Sequence, residues 1–235
     1  AKTGNQENDI MRKNFGPKAW LYPMPVLVIG SYDENGIADA MNAAWGGISL
    51  EDRISICVDD AHKTTANVLA RKAFTVHVAD VKNLVACDYV GCVSANKAPD
   101  KLAKTGWTVA KSAFVDAPVI EDLPMVLECE LVGYDKSDCR MVGRIVNVGI
   151  DEAVLTADGK VDVARLAPIA FDPVNHIVVV NEVRLHFCGG KGRLGKTAVH
   201  AVRAHVLSLH KHLCVDKVVL RKEKIPCGDV YTQFL

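Results

Sequence analysis

Alternating apolar and polar positions dominate the N-terminal two thirds of the chain. Strands are predicted at 25–33, 53–60 and 74–80, because β-branched and apolar residues form short runs there or recur at every second position. A long hairpin is predicted over 124–151, turning near the sequence KSD, and the sequence ADG at 157–159 predicts another turn. The pattern therefore favours a chain built mainly of short antiparallel strands.

Helical periodicity is confined to a few short segments. HKTTANVLARK (62–72) predicts a helix with Thr64 and Thr65 as N-cap candidates, and 81–90 predicts a second short helix. Near the C-terminus, apolar residues at alternating three- and four-residue spacing predict one amphipathic helix over 197–213. Many strands with few, short helices predict a mainly β protein, a barrel of antiparallel strands.

Composition and charge narrow the class of partner. Lys plus Arg equals Asp plus Glu at 28 each in 235 residues, so the formal net charge is zero. This balance argues against nucleic acid or an anionic membrane as the main partner, because both need a basic surplus. No apolar run approaches the roughly 20 residues of a membrane-spanning helix. The first ten residues are polar and lack the form of a signal peptide.

The positions of the cysteines indicate the cellular compartment in which the protein folds. All eight are scattered, several of them within apolar runs, and none forms a C-x-x-C pair. This distribution indicates reduced, partly buried thiols rather than disulfides, so we expect a cytoplasmic protein. No metal site is expected, because the tail histidines His200, His205 and His210 point in different directions around the predicted helix.

The segment 190–197 matches the phosphate-binding P-loop pattern G-x-x-x-x-G-K-T. A possible strand at 176–187 precedes it and the predicted helix follows, which is the context that the motif requires. A P-loop nucleoside triphosphatase also needs later strands, one of which ends in a metal-binding carboxylate. Only 38 residues follow Thr197, and their apolar run at 218–220 ends in Arg221. The match is therefore interpreted as accidental.

A second anion site is predicted from two other stretches. MNAAWGG (41–47) is interpreted as a loop whose small residues let a planar ligand approach the backbone, with Trp45 as an aromatic wall. HKTT (62–65) places a lysine and two hydroxyls at a helix start, where free N–H groups favour an anion. A buried tryptophan turn and a simple helix cap are the alternatives. Together the two stretches suit a planar ring and its phosphate, as in FMN.

The chain resembles the flavoredoxin and flavin reductase-like family, whose fold is the FMN-binding split barrel. The stretches that carry the resemblance run in order over residues 11–176; among them are DAMNAAWGGIS, ISICVDDAHKTTANVLARKAFTVHVAD, VACDYVGCVSANKAPDK and PIAFDPVNH. The resemblance implies a homodimer with FMN near the subunit interface. It also implies that the flavin itself carries the redox chemistry, with no obligatory catalytic side chain.

The same resemblance implies a set of cofactor-binding residues. The ring would be lined by Asn42, Ala43, Ala44 and Trp45, and the phosphate held by Lys63, Thr64 and Thr65. Further candidates around ring and phosphate are Cys87, Asp88, Tyr89, Ser94, Lys97 and His176. A solvated surface position is the alternative for Lys97 and Lys101, and a core thiol is the alternative for Cys87.

The resemblance ends after FDPVNH. We therefore expect a polar N-terminal extension at 1–10, an FMN-binding domain at 11–190 and an atypical C-terminal extension at 191–235. The predicted function is an FMN-dependent oxidoreductase that takes electrons from NAD(P)H or a protein donor. A non-enzymatic electron carrier and a P-loop nucleotide binder at 190–197 remain as alternatives.

Overall fold

The computed structural model describes residues 12–172 and the backbone of a last strand, His176–Val179. The helices of this part are α1 (Lys63–Arg71), α2 (Leu84–Cys92) and α3 (Val163–Leu166), with two short 3-10 turns, Ala103–Thr105 and Glu152–Val154. The strands are β1 (Met24–Pro25), β2 (Leu27–Tyr32), β3 (Ala38–Ala43), β4 (Gly46–Leu50), β5 (Arg53–Cys57), β6 (Ala73–Val78), β7 (Val109–Lys111), β8 (Pro118–Ile120), β9 (Met125–Asp135), β10 (Arg140–Ile150), β11 (Ile169–Asp172) and β12 (His176–Val179).

A seven-stranded antiparallel sheet forms the centre of the fold, in the order β3-β2-β6-β9-β10-β5-β4. Its two edge strands are consecutive in the chain, since β3 ends at Ala43 and β4 begins at Gly46. A link of Ala44 and Trp45 can join opposite edges only if the sheet curls until those edges approach each other. The central sheet is therefore a curled, barrel-like sheet, and the prediction of a mainly β fold with short helices is confirmed.

Smaller elements flank this sheet. Strands β1, β11 and β12 form a three-stranded sheet, and β7 pairs with β8. The predicted hairpin is confirmed: β9 and β10 pair over their length around a turn at 136–139, with register shifts at Val142/Gly143 and Ile145/Asn147. The turn at 157–159 is also confirmed, and Gly159 supplies its positive φ of 77°.

Helix α1 begins at Lys63, within the predicted segment, but its N-cap is His62. The expectation that Thr64 or Thr65 caps the helix is wrong, because both hydroxyls are used elsewhere. Thr64 donates to the Asp39 carboxylate (3.2 Å) and Thr65 donates to the Asp59 carbonyl (2.6 Å). The second predicted helix is confirmed as α2, displaced by a few residues.

The described core consists of two large clusters on the two faces of the sheet. Neighbouring residues of β2 belong to different clusters. Val28 packs with α2 in one cluster, and Ile29 packs with Phe74 and Val68 in the other. Because successive side chains of a strand point to opposite faces, β2 is buried on both sides. This is why the strand begins with the apolar run Leu27–Val28–Ile29 rather than with an alternation of apolar and polar residues.

Several sequence predictions lie outside the described residues: the N-terminal extension at 1–10, the P-loop match at 190–197, the amphipathic helix at 197–213 and the C-terminal extension as a whole. Within the part that the structure describes, no helix has the length and apolar character needed to cross a membrane.

Candidate functional site

A pocket that is open to solvent lies beside the edge strand β3. Its walls come from β3 (Asp39, Met41), from the start of α1 (His62, Lys63, Thr64), and from the end of α2 and the segment after it (Val90, Gly91, Val93, Ser94, Ala95, Lys101). Asp39 and Met41 are two positions apart and so share one face of the strand. The pocket thus brings together the beginning of one helix and the end of another across a sheet edge.

The N-terminus of α1 forms the electropositive wall. Its first-turn N–H groups have no partners within the helix, the His62 side chain makes no capping hydrogen bond, and the first turn holds no acidic residue. Lys63 adds a positive charge, with its Nζ 3.7 Å from the Asp33 carboxylate. Free N–H groups, a helix dipole and an adjacent lysine together form an anion-binding arrangement.

His62 adds an unused polar atom to this wall. Its Nδ1 is buried and has no hydrogen-bond partner among the described residues. Burial lowers the pKa of the imidazole, the charge of Lys101 lowers it further, and Asp59 opposes both effects. His62 is therefore a neutral ring at neutral pH. A buried nitrogen without a partner is costly unless a ligand or water satisfies it.

A buried ion pair forms the floor of the pocket. Lys101 is only 2 % exposed, and its Nζ donates to the carbonyls of Val93 (2.8 Å) and Val90 (3.2 Å). The same Nζ lies 3.2 Å from Oδ1 of Asp39, an ion-pair contact without hydrogen-bond alignment. Burial lowers the pKa of Lys101, and Asp39 partly offsets this. The interpretation of Lys101 as a solvated surface residue is wrong, because its ammonium closes the end of α2.

The stretch MNAAWGG is not a loop, contrary to the sequence prediction. Asn42 and Ala43 end β3, Gly46 and Gly47 begin β4, and only Ala44 and Trp45 link the strands. The side chains of Asn42, Ala43 and Ala44 are buried and that of Trp45 is half-buried. These four residues lie outside the set that lines the pocket.

Asn42 is nevertheless held in a defined orientation next to the pocket. Its Nδ2 donates to the Cys87 carbonyl (2.7 Å), and a Cβ on Gly91 would lie 2.6 Å from the same nitrogen. Its Oδ1 is buried without a hydrogen-bond partner among the described residues. Because Gly91 has no side chain, the Asn42 amide fits beside it, and the Asn42 Oδ1 is left available to accept a hydrogen bond from a ligand.

The remaining sequence candidates are dispersed. Cys87 is fully buried in the core beside α2, where burial raises the pKa of its thiol to about 12, so its side chain is a core thiol, as the alternative interpretation had it. Asp88 and Lys97 are exposed and Tyr89 is half-buried. His176 begins β12, opposite Asp172 of β11.

From the predicted set, the pocket therefore brings together Lys63, Thr64 and Ser94. Asp39, His62 and Lys101 were not among the cofactor-binding residues predicted from the sequence, and for Lys101 a solvated surface position was the alternative considered. His62 could have been chosen, since it directly precedes Lys63 at the helix start. Asp39 and Lys101 are 62 positions apart, and no local pattern relates them.

The donor set permits a test of the expected cofactor. A phosphate monoester needs several N–H donors and a cation, which the start of α1 and Lys63 supply. The unpartnered His62 Nδ1 and Asn42 Oδ1 are polar atoms that a ligand can satisfy. The residues therefore fit the phosphate-bearing end of FMN.

Comparisons with known proteins add independent information. The flavin reductase like domain model matches residues 20–165. The flavoredoxin of Desulfovibrio vulgaris (Miyazaki F) is 31 % identical with a TM-score of 0.72, and the match covers 77 % of this chain and all of that one. The flavoredoxin of Methanosarcina acetivorans (23 %, TM-score 0.67, covering 80 % and 99 %) shares the fold.

The fold also extends to a Pseudomonas fluorescens protein, 2-nitrobenzoate 2-nitroreductase (22 % identity, TM-score 0.62, covering 73 % of this chain and 90 % of that one). The comparison with curated proteins yields no match. The domain match spans the curled sheet, both pocket helices and all of the residues that line the pocket. On this evidence the chain belongs to the flavin reductase-like domain family and has the split-barrel fold of the flavoredoxins.

Proposed function

We propose that this protein binds FMN and acts as an oxidoreductase of the flavin reductase type, passing electrons or hydride through the bound flavin. One observation carries the proposal. In this chain of the family, the start of α1 has no side-chain cap, carries Lys63 and faces the pocket, where the buried Nδ1 of His62 has no partner among the described residues. The relatives support the cofactor, since one solved structure of the same fold is an FMN-binding domain from Shewanella baltica.

The residues of the chain bind and orient the cofactor. When bound, FMN supplies an acceptor for hydride or single electrons, which is chemistry that protein side chains lack. The start of α1 and Lys63 hold the phosphate charge, and the neutral His62 offers a ring nitrogen for a further hydrogen bond. Asn42, fixed by the Cys87 carbonyl, offers a buried amide oxygen to an N–H donor. We expect no obligatory catalytic side chain.

The electron donor distinguishes an enzyme from an electron carrier. The test is the visible spectrum of the purified full-length protein, followed by anaerobic addition of NADH and then of NADPH. A flavin spectrum that bleaches rapidly supports the reductase function. A flavin spectrum that stays oxidised contradicts NAD(P)H dependence and favours a carrier that is reduced by a protein donor. Failure to take up added FMN would overturn the proposed function altogether.

We also propose a homodimer. The edge strand β4 carries Ile48 and Leu50, which are 64 % and 60 % exposed. An exposed apolar edge strand favours coverage by another chain, because its unpaired backbone groups and apolar side chains are both left to solvent. A second copy is the partner that this family membership favours. A redox protein is a further expected partner, and nucleic acid is not one. The cytoplasmic location remains an expectation from the sequence.

A further inference from the structure

The floor of the pocket presents an electrostatic problem for an anionic ligand. Asp39 is only 4 % exposed and lies in the same pocket as the anion-binding start of α1. Its Oδ2 accepts the Thr64 hydroxyl at 3.2 Å, so the carboxylate is in direct contact with the first turn of that helix. A buried negative charge at this position would repel a phosphate bound there.

Lys101 is placed to remove this repulsion. Its Nζ lies 3.2 Å from the Asp39 carboxylate, and its other contacts go to the carbonyls of Val90 and Val93, which are neutral acceptors. The ammonium therefore has one charged partner among its described contacts. The other titratable groups that line the pocket are His62, the N-cap of α1, and Lys63, its first residue, and neither forms an ion pair with Asp39 in the described structure.

We infer that Lys101 is a positioning residue for the phosphate group of the cofactor: it neutralises Asp39 and fixes the end of α2 against the start of α1, so that the pocket accepts a phosphate monoester. The inference rests on the proposed function and deepens it, because it assigns a role to a residue that need not touch the ligand. Lys101 acts through Asp39, and Asp39 acts on the phosphate.

The charge role and a purely structural role predict different behaviour. If Lys101 only holds the fold together, its removal weakens the binding of FMN and of riboflavin, which lacks the phosphate, to the same extent. If it cancels the charge of Asp39, its removal selectively weakens FMN. Removing the Asp39 charge as well then restores the selectivity.

The experiment measures dissociation constants for FMN and riboflavin by flavin fluorescence, with the full-length protein freed of flavin, at pH 8 and low salt. Lys101→Met should lower the FMN-to-riboflavin affinity ratio by about tenfold, and the double variant Asp39→Asn/Lys101→Met should return it to within about threefold of the original. Lys104→Met is the matched control. Lys104 is an exposed lysine in the same segment, paired with Asp100, and its loss should leave the ratio unchanged.

Asp39→Asn alone keeps the inference testable if Lys101→Met does not fold. This variant leaves the Lys101 charge without its partner and should raise the FMN-to-riboflavin ratio. An equal loss of both ligands in Lys101→Met, no recovery in the double variant, or an unchanged ratio in Asp39→Asn would each overturn the inference. A full-length protein that binds riboflavin and FMN equally would overturn it too, and one that binds neither would overturn the proposed function with it.

Discussion

Lys63 is the first residue of α1, and its cationic side chain lines the pocket. Its only described ion pair, with Asp33, is long at 3.7 Å, so the charge remains available to a ligand. A charge-assisted hydrogen bond contributes about 1.5–3 kcal/mol. Lys63→Ala should therefore weaken FMN binding by about tenfold or more and leave riboflavin binding nearly unchanged.

The control for this prediction is Lys196→Ala, which removes the lysine of the P-loop match. Both variants are measured by flavin fluorescence titration and by the flavin content of the purified protein. Equal flavin content in the two would contradict the site at α1. Stabilisation by ATP that Lys196→Ala abolishes would favour the nucleotide-binding alternative instead.

His77 is a second residue for which the structure makes a prediction, because its buried environment lowers the pKa of its imidazole. It is fully buried between strands, with Nδ1 3.2 Å from the Val28 carbonyl and Nε2 accepting from the Ile120 amide at 2.9 Å. Because Nε2 accepts, the proton lies on Nδ1 and the ring is neutral. Burial lowers the pKa of this imidazole from 6.5 to about 4.

This shift predicts a loss of stability in mild acid. Between pH 6.5 and about 4 the unfolded chain binds a proton at His77 that the folded chain does not. The free energy of unfolding should therefore fall as the pH drops through this range, and His77 accounts for up to about 3 kcal/mol of the fall. Above pH 6.5 the residue is neutral in both states, so no stability is lost there. Urea unfolding at several pH values measures it. His77→Gln, which cannot titrate, should lower stability overall but show a shallower pH dependence; equal slopes would contradict the assignment.

At the scale of elements, strand β4 carries two adjacent glycines with different surroundings. A Cβ on Gly46 would lie 2.7 Å from Cγ2 of Ile56 and 3.1 Å from the backbone oxygen of Ser55, whereas a Cβ on Gly47 would meet nothing within 4 Å. Gly46→Ala should destabilise the fold by about 1–3 kcal/mol, because the buried Ile56 side chain and the backbone beside it must shift to admit the methyl group. Gly47→Ala should stay within about 0.5 kcal/mol of the original.

Chemical denaturation of the two glycine variants tests this contrast. The residues are neighbours in one strand and the substitution is the same, so the difference in stability between them reports the close packing around Gly46, against Ile56 and Ser55 of β5 and Leu27 of β2. Similar stabilities for the two variants would show that β4 does not pack against β5 as the structure has it.

The helix starting at Lys63 shows what local patterns can and cannot specify. Its position follows from helical periodicity, and the predicted segment 62–72 contains the whole of the helix Lys63–Arg71. Its cap was predicted wrongly, because the hydroxyls of Thr64 and Thr65 have partners on β3 and in the loop before α1. Side-chain partners that are distant in sequence outweighed the local capping preference.

At the scale of the whole molecule, the exposed edge strand predicts self-association. Sedimentation velocity should show a dimer for the full-length protein. Ile48→Lys with Leu50→Lys should shift it towards monomer, because two charges would be buried at the contact. Val163→Lys, at an apolar position of α3 that is 61 % exposed, is the matched control and should leave the dimer intact. A monomeric unsubstituted protein, or a dimer that is insensitive to the double substitution, would contradict this interface.

By itself, the sequence determined the β-rich character, the positions of β2, β5 and β6, the β9–β10 hairpin and the helix that carries Lys63. Each of these depends on residues close together in the chain, where apolar periodicity and turn residues act directly. Family membership also follows from the sequence, since the ordered motifs that carry the resemblance are local too.

Only the tertiary structure decided that MNAAWGG is a two-residue link between opposite edges of one sheet. Small apolar residues suit a ligand loop and a closing strand equally well, so their type could not choose between the two. The Asp39–Lys101 pair is similar: 62 positions separate its members, and both appear in the sequence as ordinary surface residues. Curling of the sheet and packing of α2 bring Asp39 and Lys101 together, so that they form a buried ion pair at the pocket.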